Sequence, residues 1–148
     1  MVVNFHTVNL TKKHPLQISR GVHDKSQNLF IEIVKDGITA WGESAPGNTE
    51  GAKNVEEVKA HLTRLINSDI NDLSIHEVCQ RSKDLKIPAC ALAGIDIALW
   101  DLTAKKAKLP LKDLLGLPKP KVPTSITVGI NPPEIVKERV EMIISNPQ

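Results

Sequence analysis

PACALAGIDIALWDLTAKKAKLPLKDLLG, residues 88–116, is the stretch on which the fold turns. Pro88 opens it, at a position where a missing N–H costs nothing. Leu92, Ile95, Leu99 and Leu102 then recur at spacings of three and four, which places them on one face of an α-helix. Small residues (Ala89, Ala91, Ala93, Gly94, Ala98) surround that face and let a neighbouring backbone come close. Asp96 and Asp101 sit inside this apolar helix. A buried carboxylate needs partners, so both are expected to bind helix ends or backbone amides between layers. A short helical turn at 111–115 follows and ends at Gly116.

On the N-terminal side, residues 2–11 are rich in β-branched and apolar types and read as a strand. HPLQISRGVHDKS, 14–26, is polar and carries Pro15 and Gly21, so it reads as a loop. NLFIEIVK, 28–35, alternates, with Leu29, Ile31 and Ile33 on one face. Asp36-Gly37 is a two-residue hairpin turn, and ITAWGE, 38–43, is the return strand. These segments form a three-stranded antiparallel meander. After a polar loop at 44–53, Asn54 caps a helix with Val55, Val58, Leu62, Leu65 and Ile66 on one side. Ser74 and Glu77 have capping-box spacing ahead of Val78.

On the C-terminal side, the run 117–123 holds three prolines and no apolar period, and residues 119–123 are set as a linker. TSITVGI, 124–130, reads as one buried strand. Asn131 is expected to cap a helix with Pro132 and Pro133 in its first turn and Ile135, Val136, Val140, Ile143 and Ile144 on its apolar side. The organisation is therefore a domain at 1–118, the linker, and a strand–helix unit at 124–148.

Composition excludes several functions. The chain has 148 residues, 41% hydrophobic and 24% charged, enough for a real core. Phe5, Phe30, Trp41 and Trp100 are the only aromatics, too few to stack single-stranded bases. A net charge of +2 with no long basic run argues against nucleic acid as a partner. No apolar run reaches the ~20 residues that span a bilayer, and MVVNFHTVNLTKK lacks the pattern of a signal peptide. Cys79 and Cys90 form no CxxC pair and read as free thiols, which fits the cytoplasm. His6, His14, His23, His61 and His76 have no metal-site spacing, and Ser19, Ser26, Ser44 and Ser125 have no GxSxG context.

The order of residues in the 88–116 helix resembles the helix that precedes the barrel in the mandelate racemase/muconate lactonizing branch of the enolase superfamily. Gly42-Glu43-Ser44-Ala45-Pro46 resembles that family's Gly-Glu-x-x-Pro segment in the same register. The resemblance implies an α+β fold. It consists of an enolase-like N-terminal capping domain, a three-stranded antiparallel meander plus helical bundle, followed by the first β/α unit of a TIM-type (β/α)7β barrel. Pro15–Gly21 and the Thr-Ser-Ile-Thr-Val strand look most like dipeptide epimerases of the L-Ala-D/L-Glu type. Such enzymes invert the carbon alpha to a carboxylate with Mg²⁺ and paired lysines. The family draws its lysines and metal carboxylates from later barrel strands, so the resemblance covers about 40% of a typical member. No catalytic or metal-binding residue is therefore assigned in this chain, and the chain alone is expected to be inactive.

Two residues gain a role from the resemblance. Arg20 lies in a segment expected to fold over the barrel mouth, and its guanidinium can clamp a substrate carboxylate in two parallel bonds. Thr127 would sit near the active-site end of the first barrel strand. By residue type alone, Arg20 reads as a solvated surface arginine and Thr127 as a β-branched strand residue. Glu43 is expected to anchor a loop rather than act as an acid. The expected partner is an acidic dipeptide or other small carboxylate, with a homo-oligomer or association through the incomplete barrel, and no membrane. The alternatives are a muconate cycloisomerase, an o-succinylbenzoate synthase, an acid-sugar dehydratase, or a non-catalytic α+β interaction module.

Overall fold

The alternating run at 28–35 becomes the middle of a three-stranded antiparallel sheet. In the computed structural model, which describes residues 1–47, 49–119, 121, 123 and 125–145, the strands are β1 (Val2–Ile18), β2 (Gly21–Lys35) and β3 (Ile38–Ser44), in the order β1-β2-β3. Asp36 and Gly37 turn β2 into β3 with φ of 53° and 75°, the pair of positive φ values that a tight hairpin needs.

By contact the chain divides into two units, Met1–Asn9 with Gln27–Lys119, and Leu10–Ser26 with Pro120–Gln148. In the first unit, register explains the packing. Leu29 faces Ser44, Ile31 faces Gly42 and Ile33 faces Ala40 across the ladder. Large residues on β2 thus oppose small ones on β3, which leaves a trough over β3 for a helix. That helix is α3, defined below, and its own small residues line the crossing. A Cβ added to Gly42 would stand 2.0 Å from the Gly94 carbonyl oxygen, and one added to Gly94 would stand 2.6 Å from Ile31 Cδ1. The Ser44 hydroxyl donates to the Cys90 carbonyl at 2.7 Å beneath it. Leu29, Ile31 and Ile33 are fully buried, each worth ~1.5–3 kcal/mol relative to exposure.

The helices are α1 (Val55–Ile66), α2 (Ile75–Asp84), α3 (Ala89–Ala107), α4 (Leu111–Leu114) and α5 (Pro133–Ser145). Asn54 caps α1, accepting from the Glu57 amide at 2.9 Å. The Ser74/Glu77 capping box forms at the start of α2. α3 buries Ile95, Leu99 and Leu102 with the small residues Ala91, Gly94 and Ala98, and Leu92 is half-buried. Its contacts run to β3, α1, α2 and α4. Gly116, at φ 67°, ends the turn after α4.

The two helix carboxylates behave differently. Asp101 accepts the Trp41 backbone amide at 2.8 Å, and Lys105 bridges Asp101 at 2.7 Å and the Thr39 carbonyl at 3.0 Å. β3 is an edge strand, and this pair occupies groups it would otherwise leave unpaired. Among the described residues Asp96 binds neither a helix end nor a backbone amide; it accepts from the Cys79 thiol at 3.6 Å. Burial, then the nearby Asp96 charge, push that thiol above its ordinary range. Both Cys79 and Cys90 are free.

Three expectations need correction. Residues 14–26 are a strand-paired ribbon, not a loop: β1 runs to Ile18 and β2 starts at Gly21. Apolar alternation reports a buried face, and residues 19–27 are exposed throughout, so the pairing left no apolar signature. Pro15 is tolerated because β1 is an edge strand. Asn131 is not at the cap position of α5: the helix starts at Pro133, the Pro132 carbonyl accepts from the Val136 amide at 3.1 Å, and the Asn131 side chain donates back to the Gly129 carbonyl at 2.8 Å. The third is the strand at 124–130. Residues 125–130 join no ladder among the described residues, and only Gly129 is buried, since a parallel strand takes its bonds from neighbouring strands. The expected apolar side of α5 buries no residue. Pro120 and Val122 of the linker, Thr124 of the expected strand and residues 146–148 lie outside the described residues.

Candidate capping site

The second unit holds both candidate binding residues. Ser19 and Arg20 form the turn of the β1–β2 ribbon, followed by Gly21 at φ 140°. Arg20 is exposed and makes no salt bridge among the described residues. Behind the tip the ribbon is seated on the segment that carries Thr127. The Ile130 amide donates to the Gln17 carbonyl at 2.8 Å.

A cleft of about 280 Å³ lies in this unit, close to the small end of ligand pockets, which begin at ~300 Å³. Thr127 lines it with Pro15, Leu16, Ile126, Val128 and Met142. Lys13, His14 and Arg139 also line it, and no carboxylate does. Thr127 is thus brought against the ribbon, whereas Arg20 stands outside the cleft. Sequence reading set His14 aside for want of metal-site spacing and passed over Arg139. They lie far apart in the chain, and no motif joins them.

Glu43 works structurally. It accepts from the Asn28 side chain at 2.5 Å and ties the last residues of β3 to the middle of β2. A second carboxylate, Glu32, sits on the outer face of the sheet. It accepts from Asn4 at 3.0 Å and meets His6 at 3.1 Å, and hydrogen bonds from Asn4 and then His6 hold it below the ordinary carboxylate range. The His6 ring lies 5.4 Å from the Trp41 ring. Among the described residues no group of three His, Cys, Asp or Glu side chains could hold a metal ion. Among the described residues no helix is long and apolar enough to cross a membrane.

The family model described as the mandelate racemase/muconate lactonizing enzyme, N-terminal domain, matches residues 2–116. The chain belongs to this family. Within it, the chain is 52% identical over 144 residues to a hydrophobic dipeptide epimerase of Flavobacteria bacterium (strain MS024-2A), covering 97% of this chain and 41% of that protein. It is 47% identical over 145 residues to a hydrophobic dipeptide epimerase of Roseobacter litoralis, covering 98% of this chain and 42% of that protein. The fold matches the crystal structure of a dipeptide epimerase from Enterococcus faecalis V583 complexed with Mg and the dipeptide L-Leu-L-Tyr. That match has a TM-score of 0.85 at 25% identity, over 97% of this chain and 42% of that one. The chain thus spans about two fifths of the length of the family members it matches.

Proposed function

We propose that the whole protein is a dipeptide epimerase and that this chain supplies its cap. The observation that carries the reading is the 52% identity to a hydrophobic dipeptide epimerase over 97% of the chain. The ribbon seated on the Thr127 segment is consistent with it, because a cap must reach the mouth of a barrel to exclude water. Proton removal and return at the α-carbon belong to barrel residues, as does Mg²⁺, which supplies charge stabilisation of the enolate when bound. The residues of this chain bind and orient: Thr127 offers a hydroxyl to the peptide, and Arg20 offers a cation at the rim.

The substrate class follows from the same identity. Hydrophobic dipeptides are the first reading, because the two relatives described above, at 52% and 47% identity, carry that name. Acidic dipeptides of the Ala-Glu type are the second, favoured by the exposed guanidinium of Arg20 at the ribbon tip, which makes no salt bridge among the described residues. We place the protein in the cytoplasm on its two free thiols. Ile126, Ile130 and Ile144 are 58%, 57% and 72% exposed, which supports cover by further chain or by a second copy. The test is deuterium incorporation at the α-carbon in D₂O by the whole protein. Leu-Tyr exchanging faster than Ala-Glu supports the first reading, and the reverse order the second. Exchange of neither dipeptide removes the epimerase assignment.

A further inference from the structure

We infer that Gly129 is a positioning residue: its bare Cα is the seat on which the ribbon rests, and so it sets where Arg20 stands. The inference rests on the dipeptide-epimerase reading for its functional half only.

Gly129 is buried, whereas Ile126, Thr127 and Ile130 around it are exposed. A Cβ built there would lie 2.9 Å from both the amide nitrogen and the carbonyl oxygen of Gln17, and 3.1 Å from Leu16 Cδ1. Two of those three atoms are backbone, which no rotamer change can move aside. Gly129 is not among the glycines with positive φ, so space rather than backbone conformation excludes a side chain. The next residue completes the seat, its amide donating to the same Gln17 carbonyl at 2.8 Å. Gln17 is the penultimate residue of β1, and the Ser19–Arg20 turn follows directly after Ile18. A shift at residue 17 is therefore carried to the tip. Alanine at 129 must push the ribbon off, and the Ile130 hydrogen bond is the first to lengthen.

Hydrogen exchange on the 148-residue chain reads the seat directly. In Gly129→Ala the Ile130 amide is expected to exchange at least tenfold faster, while the α5 amides, Arg139 among them, keep their rates. An unchanged Ile130 rate overturns the seat. Loss of α5 protection as well also overturns it, because the residue would then be needed for folding rather than for position. Gln17→Ala should leave Ile130 protected, since only the backbone of Gln17 is in contact, and loss of protection there counts against the seat.

Kinetics on the whole protein read the functional half. Gly129→Ala should raise KM for the dipeptide about tenfold with kcat unchanged. Ile130→Pro, which removes the donor without adding bulk at 129, should do the same. An equal fall in kcat with KM constant overturns the positioning role. A wild-type protein with no epimerase activity refutes the proposed function and leaves the exchange result to decide the seat.

Discussion

Replacing Gly42 by alanine should cost far more than replacing its partner in the crossing, Gly94, although both are single methyl additions. At Gly42 the new Cβ would sit 2.0 Å from the Gly94 carbonyl oxygen and 2.8 Å from the Ala98 nitrogen, both backbone atoms of α3. Ordinary contact begins near 3.4 Å, so α3 must move by about 1.4 Å. A gap of 0.5–1 Å already forfeits a quarter to a half of each dispersion contact, and Ala91, Ile95 and Ala98 on α3 are all fully buried. Relief of strand glycine returns only ~0.5–1 kcal/mol. The net loss is set at about 3 kcal/mol, the top of the usual range for overpacking. At Gly94 the balance differs. Helix propensity returns ~1 kcal/mol, and the nearest atom, at 2.6 Å, is the end of the Ile31 side chain rather than backbone. The net loss there is set at about 1 kcal/mol. Urea unfolding followed by tryptophan fluorescence measures both, since Trp41 lies on β3 and Trp100 on α3. A Gly42→Ala variant within half a kcal/mol of wild type, or one more stable than Gly94→Ala, would refute this account of the crossing.

Ile95→Ala should destabilise the first unit by ~2–5 kcal/mol in the same assay, because Ile95 is fully buried on α3. Glu77 is held below the ordinary carboxylate range, chiefly by the Ser74 hydroxyl and then its amide. The stability it adds is therefore present above the unfolded value near ~4.3 and is lost as pH falls through the lower folded value. Glu77→Gln should flatten the dependence of Tm on pH below ~5, and an unchanged acid limb would count against the capping box as its source. The 148-residue chain should exchange no α-proton of a dipeptide in D₂O with added Mg²⁺, since its acids form no metal site among the described residues; Mg²⁺-dependent exchange that survives repurification would overturn this. On the acidic-dipeptide reading, Arg20→Ala in the whole protein should lower kcat/KM for Ala-Glu by ~30-fold and leave Leu-Tyr nearly untouched, on 1.4 kcal/mol per decade.

The legible parts of the fold were those whose residues report burial or capping. Leu29, Ile31 and Ile33 alternate because one face of β2 is covered, and the same pattern placed the hairpin at Asp36-Gly37. Asn54 and the Ser74/Glu77 pair were visible because capping needs particular side chains at fixed offsets. The small residues of α3 announced a close crossing, but not that Gly42 was on its other side. The ribbon at 10–26 was invisible for the opposite reason. Its hydrogen bonds are backbone bonds, made by any residue, and its side chains mostly face solvent, so polar composition read as a loop. Residues 124–130 misled in turn: an apolar run signals a strand, yet the bonds of a parallel strand come from neighbours that its own residues cannot name. The site shares this limit. Gly129 is chemically silent, and only its 2.9 Å approach to Gln17 gives it a role.

Arg20 then bears unequally on the two substrate readings. An exposed arginine costs nothing where water still reaches it, so a cap can close over an apolar dipeptide provided the guanidinium stays at the rim. Its place outside the cleft that Thr127 lines is compatible with that arrangement. An acidic dipeptide asks more of it. The guanidinium must leave water to meet a carboxylate, and only good geometry offsets the desolvation of both charges. A rim-held pair is also screened, over a Debye length of about 8 Å at physiological salt. Under the proposed function, the presence of Arg20 would permit both substrates and require neither, and the position of the ribbon tip would decide between them. If the seat at Gly129 holds the tip at the rim, apolar side chains are accommodated by default. Selectivity for an acidic one would then require the ribbon to move inward past the contact at Gln17.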